Sequence, residues 1–118
     1  MRNDRERLLD IAEAIAKIEK YASRGRDLFE SDELIQNWIL RHIQIIGEAA
    51  RGVSADLKTV HPDVEWVKIA GMRNILVHDY FGINTELVWD TVVNDLPRLK
   101  TKVENILKLT DGEKTLVQ

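Results

Sequence analysis

Apolar residues recur every three or four positions almost from the start of the chain: Leu8, Ile11, Ala12, Ile15 and Ile18, closed by Ala22, with charged side chains between them. That period marks one side of an amphipathic helix. Ser23-Arg24-Gly25-Arg26 interrupts it, and Ser31-Asp32-Glu33-Leu34 offers a capped restart with acidic residues where the positive helix end favours them. A second helix is predicted from there to about Arg51, with Ile35, Trp38, Ile39, His42, Ile45, Ile46 and Ala49 along one side. Gly47 within it costs about 1 kcal/mol relative to alanine, so another backbone is expected to approach closely there.

The stretch from Gly52 to Pro62 reads as a connection with one short helical turn, and Pro62 followed by Asp63 and Glu65 suits the first turn of a third helix. Its stripe would be Trp66, Ile69, Ala70, Arg73, Val77 and Tyr80, and Gly82 would end it. Asn84 can cap a fourth helix carrying Leu87, Val88, Val92 and Val93. Pro97 then demands a kink or a fresh start, after which Leu99, Val103, Ile106 and Leu107 continue the helical spacing. The tail from Asp111 to Gln118 is expected to fray. Strand-like alternation and internal repeats are both missing, so the predicted fold is all-α, a bundle of four or five helices, with residues 1–118 forming one domain.

Charge and composition narrow the function. Lys and Arg number 17 against 20 Asp and Glu, a formal charge of −3, so the chain does not wrap nucleic acid through bulk electrostatics and any such contact is local. It has no cysteine, no apolar leader after its charged first residues and no long apolar run. A cytoplasmic protein, neither secreted nor membrane-spanning, is expected. Glycine-rich phosphate loops, nucleophile elbows and His-Glu-x-x-His pairs are absent, and three histidines far apart in sequence are a weak basis for a metal site. Neither a metal nor a cofactor is expected.

One stretch stands out: Gly71-Met72-Arg73-Asn74-Ile75-Leu76-Val77-His78-Asp79-Tyr80-Phe81-Gly82. Its side chains suit RNA cleavage without a metal, in which a ribose 2′-hydroxyl attacks the adjacent phosphate. His78 can take or give a proton near neutral pH, and Arg73 can hold the phosphate and stabilise its developing charge. Asn74, four residues before His78, could orient the ring or donate to a phosphate oxygen. Tyr80 adds a stacking face, and Asp79 could tune His78. On a straight helix Arg73 and His78 would stand about 140° apart. Either the helix ends or distorts before His78, or two chains build the site across a two-fold axis; the dimer is the favoured alternative.

Arg73-Asn74-x-x-x-His78-x-Tyr80 resembles the Arg-x4-His-x-Tyr signature of HepT toxins in the HEPN superfamily of helical ribonucleases. Ile46-Gly47-Glu48-Ala49, His61-Pro62 with Trp66, Gly71-Met72 and Leu96-Pro97 are similar to the family pattern too, so the likeness spans about Leu8 to Leu107. The resemblance implies a HEPN-like bundle and a homodimeric, metal-independent endoribonuclease with Arg73 and His78 of both chains in a shared cleft. It also implies a partner, an MntA-like nucleotidyltransferase antitoxin that silences the toxin by transferring AMP to Tyr80. The added bulk and negative phosphate would oppose entry of an RNA phosphate.

Plainer roles compete at each position. Arg73 and His78 could be a helix-end pair bonding carbonyls or a carboxylate, Asn74 could merely cap, Asp79 could be solvated, and Tyr80 could be core. His42 fits a satisfied core histidine and His61 a turn or cap. Trp38, Trp66 and Trp89 fit core or dimer contacts, and Arg24-Gly25-Arg26 a solvated loop. Glu48, beside the close-packed Gly47, calls for a cationic partner, with Arg73 or Arg51 at hand. The rival functions are a non-catalytic helical module that binds a nucleotidyltransferase or nucleotide, and a purely structural dimerisation domain.

Overall fold

The computed structural model describes the backbone of residues 2–78 and 82–117, and the side chains of all of these except Ile75, His78 and 111–117. The fold is all-α, a HEPN-like helical bundle with, among the described residues, one pair of two-residue strands.

Helix α1 (Asp4–Ala22) starts at Asn3, whose side chain accepts the Glu6 amide at 2.8 Å while Glu6 Oε1 accepts the Asn3 amide at 3.2 Å. This reciprocal cap satisfies two donors that the first turn leaves open. Leu8, Ile11, Ala14, Ile15 and Ile18 form its buried side. The predicted interruption after Ala22 is present, but it contains a short helix that the apolar period does not announce. Gly25, at φ +102°, leads into α2 (Arg26–Ser31), which buries Phe29 against Trp89 with ring centroids 5.3 Å apart. Six residues are too few for an apolar repeat to show.

Asp32 caps α3 (Glu33–Gly52), accepting the Leu34 and Ile35 amides at 2.9 and 3.2 Å. Ile35, Ile39, His42, Ile43, Ile46, Ala49 and Ala50 are buried along it. α1 and α3 run antiparallel, as contacts at both ends show. Trp38 Nε1 donates to the Lys17 carbonyl at 2.9 Å near one end, and Asp4 accepts the Ser54 amide and hydroxyl at 2.8 and 2.6 Å at the other. His42 is the core histidine its position suggested. Its Nδ1 lies 2.7 Å from the Trp38 carbonyl, which can only accept, so this nitrogen carries the hydrogen.

After α4 (Ala55–Val60) the predicted third helix departs from expectation. Pro62 and Asp63 lie in a turn, and helix begins only at Trp66, whose indole donates to the His61 carbonyl at 3.0 Å. Two five-residue helices follow, α5 (Trp66–Ala70) and α6 (Met72–Leu76), separated by Gly71. The backbone then extends into β1 (Val77–His78), which pairs antiparallel with β2 (Gly82–Ile83) in the register Val77 to Ile83 and His78 to Gly82. The buried stripe is Trp66, Ile69, Met72 and Leu76, while Ala70 and Val77 are half-buried and Arg73 is exposed; Tyr80 lies outside the described residues. Gly71 interrupts the helix, and β-branched Val77 favours the extended backbone that ends it.

Asn84 caps α7 (Thr85–Asp90), accepting the Leu87 amide at 3.1 Å. The helix passes through a π-helical turn (Thr91–Asp95) into α8 (Leu96–Val117), and the Leu96 amide bonds the Thr91 carbonyl five residues back. The proline ring of Pro97 would press on the carbonyl of Val93, and the widened turn relieves that conflict without ending the helix. The backbone is helical to Val117. Leu99, Val103 and Ile106 join α8 to the core. Among the described residues no helix is long and apolar enough to cross a membrane.

Candidate active site

Arg73 and Asn74 lie on α6, and both are exposed. Met72 and Leu76, on the same short helix, are buried at 8% and 2% exposure and hold it on the core. Among the described residues neither the Arg73 guanidinium nor the Asn74 amide group has a hydrogen-bond or ion-pair partner; the Asn74 backbone amide bonds Gly71 at 3.1 Å.

His78 sits in β1, two residues past the end of α6. The predicted 140° offset presumed one straight helix through both residues, and that presumption fails. The helix ends before His78, which removes the angular reason for a site built from two chains. Asp79 and Tyr80 lie outside the described residues. Flanking them, Gly82 takes φ +74°, and the Asn84 amide donates to the Leu76 carbonyl at 2.9 Å. That bond brings the start of α7 back to the end of α6.

Glu48 does not make the ion pair considered for it. It is exposed and accepts from Gln44 Nε2 at 3.2 Å, one turn earlier on α3. Arg51 instead donates from Nη2 to the Ala70 carbonyl at 3.1 Å. The reason is positional: α5 ends over this side of α3, and a helix's last carbonyls lack partners within the helix. Gly47 meets the same end of α5. A Cβ there would stand 3.1 Å from the Ala70 oxygen and 3.3 Å from the Ile69 oxygen, which is the close backbone approach the sequence called for.

An exposed guanidinium with no carboxylate partner among the described residues, beside an exposed carboxamide, can bind an anion such as a phosphate. Residues 11–106 of the chain match a family model described as ribonuclease HepT-like. The chain belongs to this HepT-like family. A protein of Thermococcus cleftensis named "Probable ribonuclease HepT" is 39% identical over 111 residues, covering 91% of this chain and 98% of its own. A protein of Caldanaerobacter subterraneus and one of Methanocaldococcus jannaschii, each named a "Putative RNase", are 34% and 38% identical. They cover 77% and 74% of this chain, and 81% and 72% of their own. No solved structure matches significantly.

The sequence motif draws attention to residues 71–82, and α6 does carry Arg73 and Asn74 together at the surface. Motif reading does not reveal that α3 grips this segment through Gly47 and Arg51. The available signal is their spacing of four, which puts both on one helix face.

Proposed function

We propose that this HepT-like chain is a metal-independent endoribonuclease toxin, silenced by a nucleotidyltransferase antitoxin that transfers AMP onto Tyr80. The observation that carries the reading is the pair Arg73 and Asn74, exposed on α6 and with no side-chain partner among the described residues, next to the strand that contains His78. An exposed guanidinium offers its charge and its fork of donors to a phosphate.

In this reading Arg73 binds the scissile phosphate and stabilises the charge that builds on its oxygens. His78 moves the proton between the 2′-hydroxyl and the leaving 5′-oxygen, and Asn74 orients the ring or donates to a phosphate oxygen. The product carries a 2′,3′-cyclic phosphate. Glu48 has at most a supporting part, since it pairs with Gln44, and Asp79 would tune His78. The family resemblance also supports a cytoplasmic homodimer with a shared cleft. A carboxylate-balanced surface agrees with local rather than bulk contact to RNA.

The test is cleavage of single-stranded or loop RNA in EDTA. Wild-type protein should yield cyclic-phosphate ends, while 3′-hydroxyl ends would point to a different chemistry. Supplied with ATP and the cognate nucleotidyltransferase, wild type should gain AMP units by mass and lose activity. Tyr80→Phe should stay active and unmodified. A Tyr80→Phe protein that is still modified and silenced would remove Tyr80 from the switch. Inhibition without a mass change would remove the covalent switch itself.

A further inference from the structure

Gly47 and Arg51 stand one turn apart on α3, and both act on the same few atoms. Gly47 lets the carbonyls of Ile69 and Ala70 come within 3.3 and 3.1 Å of where a Cβ would be, and Arg51 Nη2 bonds the Ala70 carbonyl at 3.1 Å. These carbonyls close α5, immediately before Gly71 breaks the helix. The next bonds along the chain run from the Gly71 amide to Val67 and from the Asn74 amide to Gly71, both at 3.1 Å.

Helices of five residues do not hold their own shape in water, and neither α5 nor α6 has a side-chain N-cap. The orientation of α6 therefore depends on what grips the α5–α6 elbow. Arg73 lies three residues beyond the carbonyl that Arg51 holds. We propose that Arg51, seated by the gap at Gly47, is a positioning residue that fixes the elbow and through it the direction of Arg73. This rests on the reading of Arg73 as the phosphate-binding group. Arg51 spends a donor on a backbone carbonyl, which gives it a part in orientation; whether its remaining donors touch RNA is what the salt dependence below decides.

Small displacements of a catalytic group are costly, on the order of 100-fold in rate for about 1 Å. The experiment compares Arg51→Ala, Arg51→Lys, Arg73→Ala and the Arg51→Ala/Arg73→Ala double variant in single-turnover RNA cleavage, with RNA affinity measured separately. Arg51→Ala should lower the cleavage rate about tenfold at little change in RNA affinity, Arg51→Lys should recover part of it, and the double variant should be little worse than Arg73→Ala alone. In hydrogen exchange, the Gly71 and Asn74 amides of Arg51→Ala should lose protection while those of α1 keep theirs.

Three results would overturn the assignment: unchanged cleavage, fully additive losses, or weaker RNA affinity with a shallower salt dependence and an unchanged rate. The last would mean that Arg51 touches a phosphate. If wild type cleaves no RNA, the ribonuclease reading falls, and exchange alone decides. Faster exchange at Gly71 and Asn74 upholds the clamp on the elbow, and unchanged exchange refutes it. Should Arg51→Ala not fold, Arg51→Lys and Gly47→Ala carry the same comparison.

Discussion

α1 and α3 on one side, and residues 66–84 on the other, are built on different principles. The two long helices have side-chain caps, unbroken apolar stripes and fully buried isoleucines at 11, 15, 18, 39, 43 and 46. Their form follows from local sequence, and their packing adds to it. The segment from α5 to β2 has five-residue helices, two-residue strands and no side-chain cap. Its form is imposed from outside, by Met72 and Leu76 in the core, by the Gly47 gap, by Arg51 on Ala70 and by the Asn84 amide on Leu76. A rigid pair of helices thus carries an irregular segment, and the irregular one presents Arg73 and Asn74. Backbone that does not satisfy itself is where side chains can be aimed at something other than the core.

Truncating the scaffold should produce the largest change in stability. Ile43→Ala removes a fully buried side chain and should cost about 2–5 kcal/mol by urea unfolding, with activity lost only as the protein unfolds. A variant that melts normally yet has lost RNA cleavage would break the division between carrier and carried.

The converse variants are Arg73→Ala and His78→Ala. Each should cut RNA cleavage by roughly 100-fold or more, and Arg73→Ala, at an exposed position with no partner among the described residues, should unfold within about 0.5 kcal/mol of wild type. Full activity in both would remove the site from this segment.

This contrast also accounts for what could be read beforehand. The α1 stripe, most of the α3 stripe, the caps at Asp32 and Asn84, the distortion near Pro97 and the close approach at Gly47 are properties of a few neighbouring residues, and the structure contains them; Trp38, expected on the buried side of α3, is instead 36% exposed with its indole on the Lys17 carbonyl, and Ile43 is buried in its stead. The third helix was misread because Trp66, Ile69, Ala70, Arg73, Val77 and Tyr80 fit a helical period on paper. Gly71 and Val77 decide otherwise, and they can do so because tertiary contacts hold the pieces. α2 was missed because one buried residue, Phe29, makes no period. The motif residues were legible as chemistry, while their support from α3 was not, since Arg51 and Ala70 are brought together only by the fold.

Gly47→Ala probes the joint between the two regions, and its two effects oppose each other. Alanine favours helix by about 1 kcal/mol, but its Cβ would sit 3.1 Å from a backbone oxygen, and a carbonyl tied to Arg51 yields poorly. The clash should prevail, with a net loss of about 1 kcal/mol by thermal unfolding. RNA cleavage should fall further than this small loss of stability explains. A stabilised and fully active Gly47→Ala would show that α5 can move away at no cost, and that the approach is incidental.

Replacing matched caps should give the smallest effects and the sharpest test of the comparison. Asp32 and Asn84 each hold the first turn of a helix by accepting backbone amides, Asp32 those of Leu34 and Ile35, Asn84 that of Leu87. Asp32→Ala and Asn84→Ala should each cost about 1 kcal/mol, and serine should restore most of it at either position. Equal losses need not be spread equally. α3 is locked along its length by buried isoleucines, so the loss at Asp32 should appear as a uniform drop in global stability. Asn84 also donates its backbone amide to the Leu76 carbonyl, a bond that alanine keeps but that depends on where α7 begins. Its loss should therefore loosen β2 and the end of α6 selectively, seen as faster exchange at the Asn84 and Leu87 amides before any change in α1. Uniform loosening by both variants would mean that residues 66–84 fold as one unit with the long helices, and the distinction between a self-sufficient carrier and a dependent segment would fail.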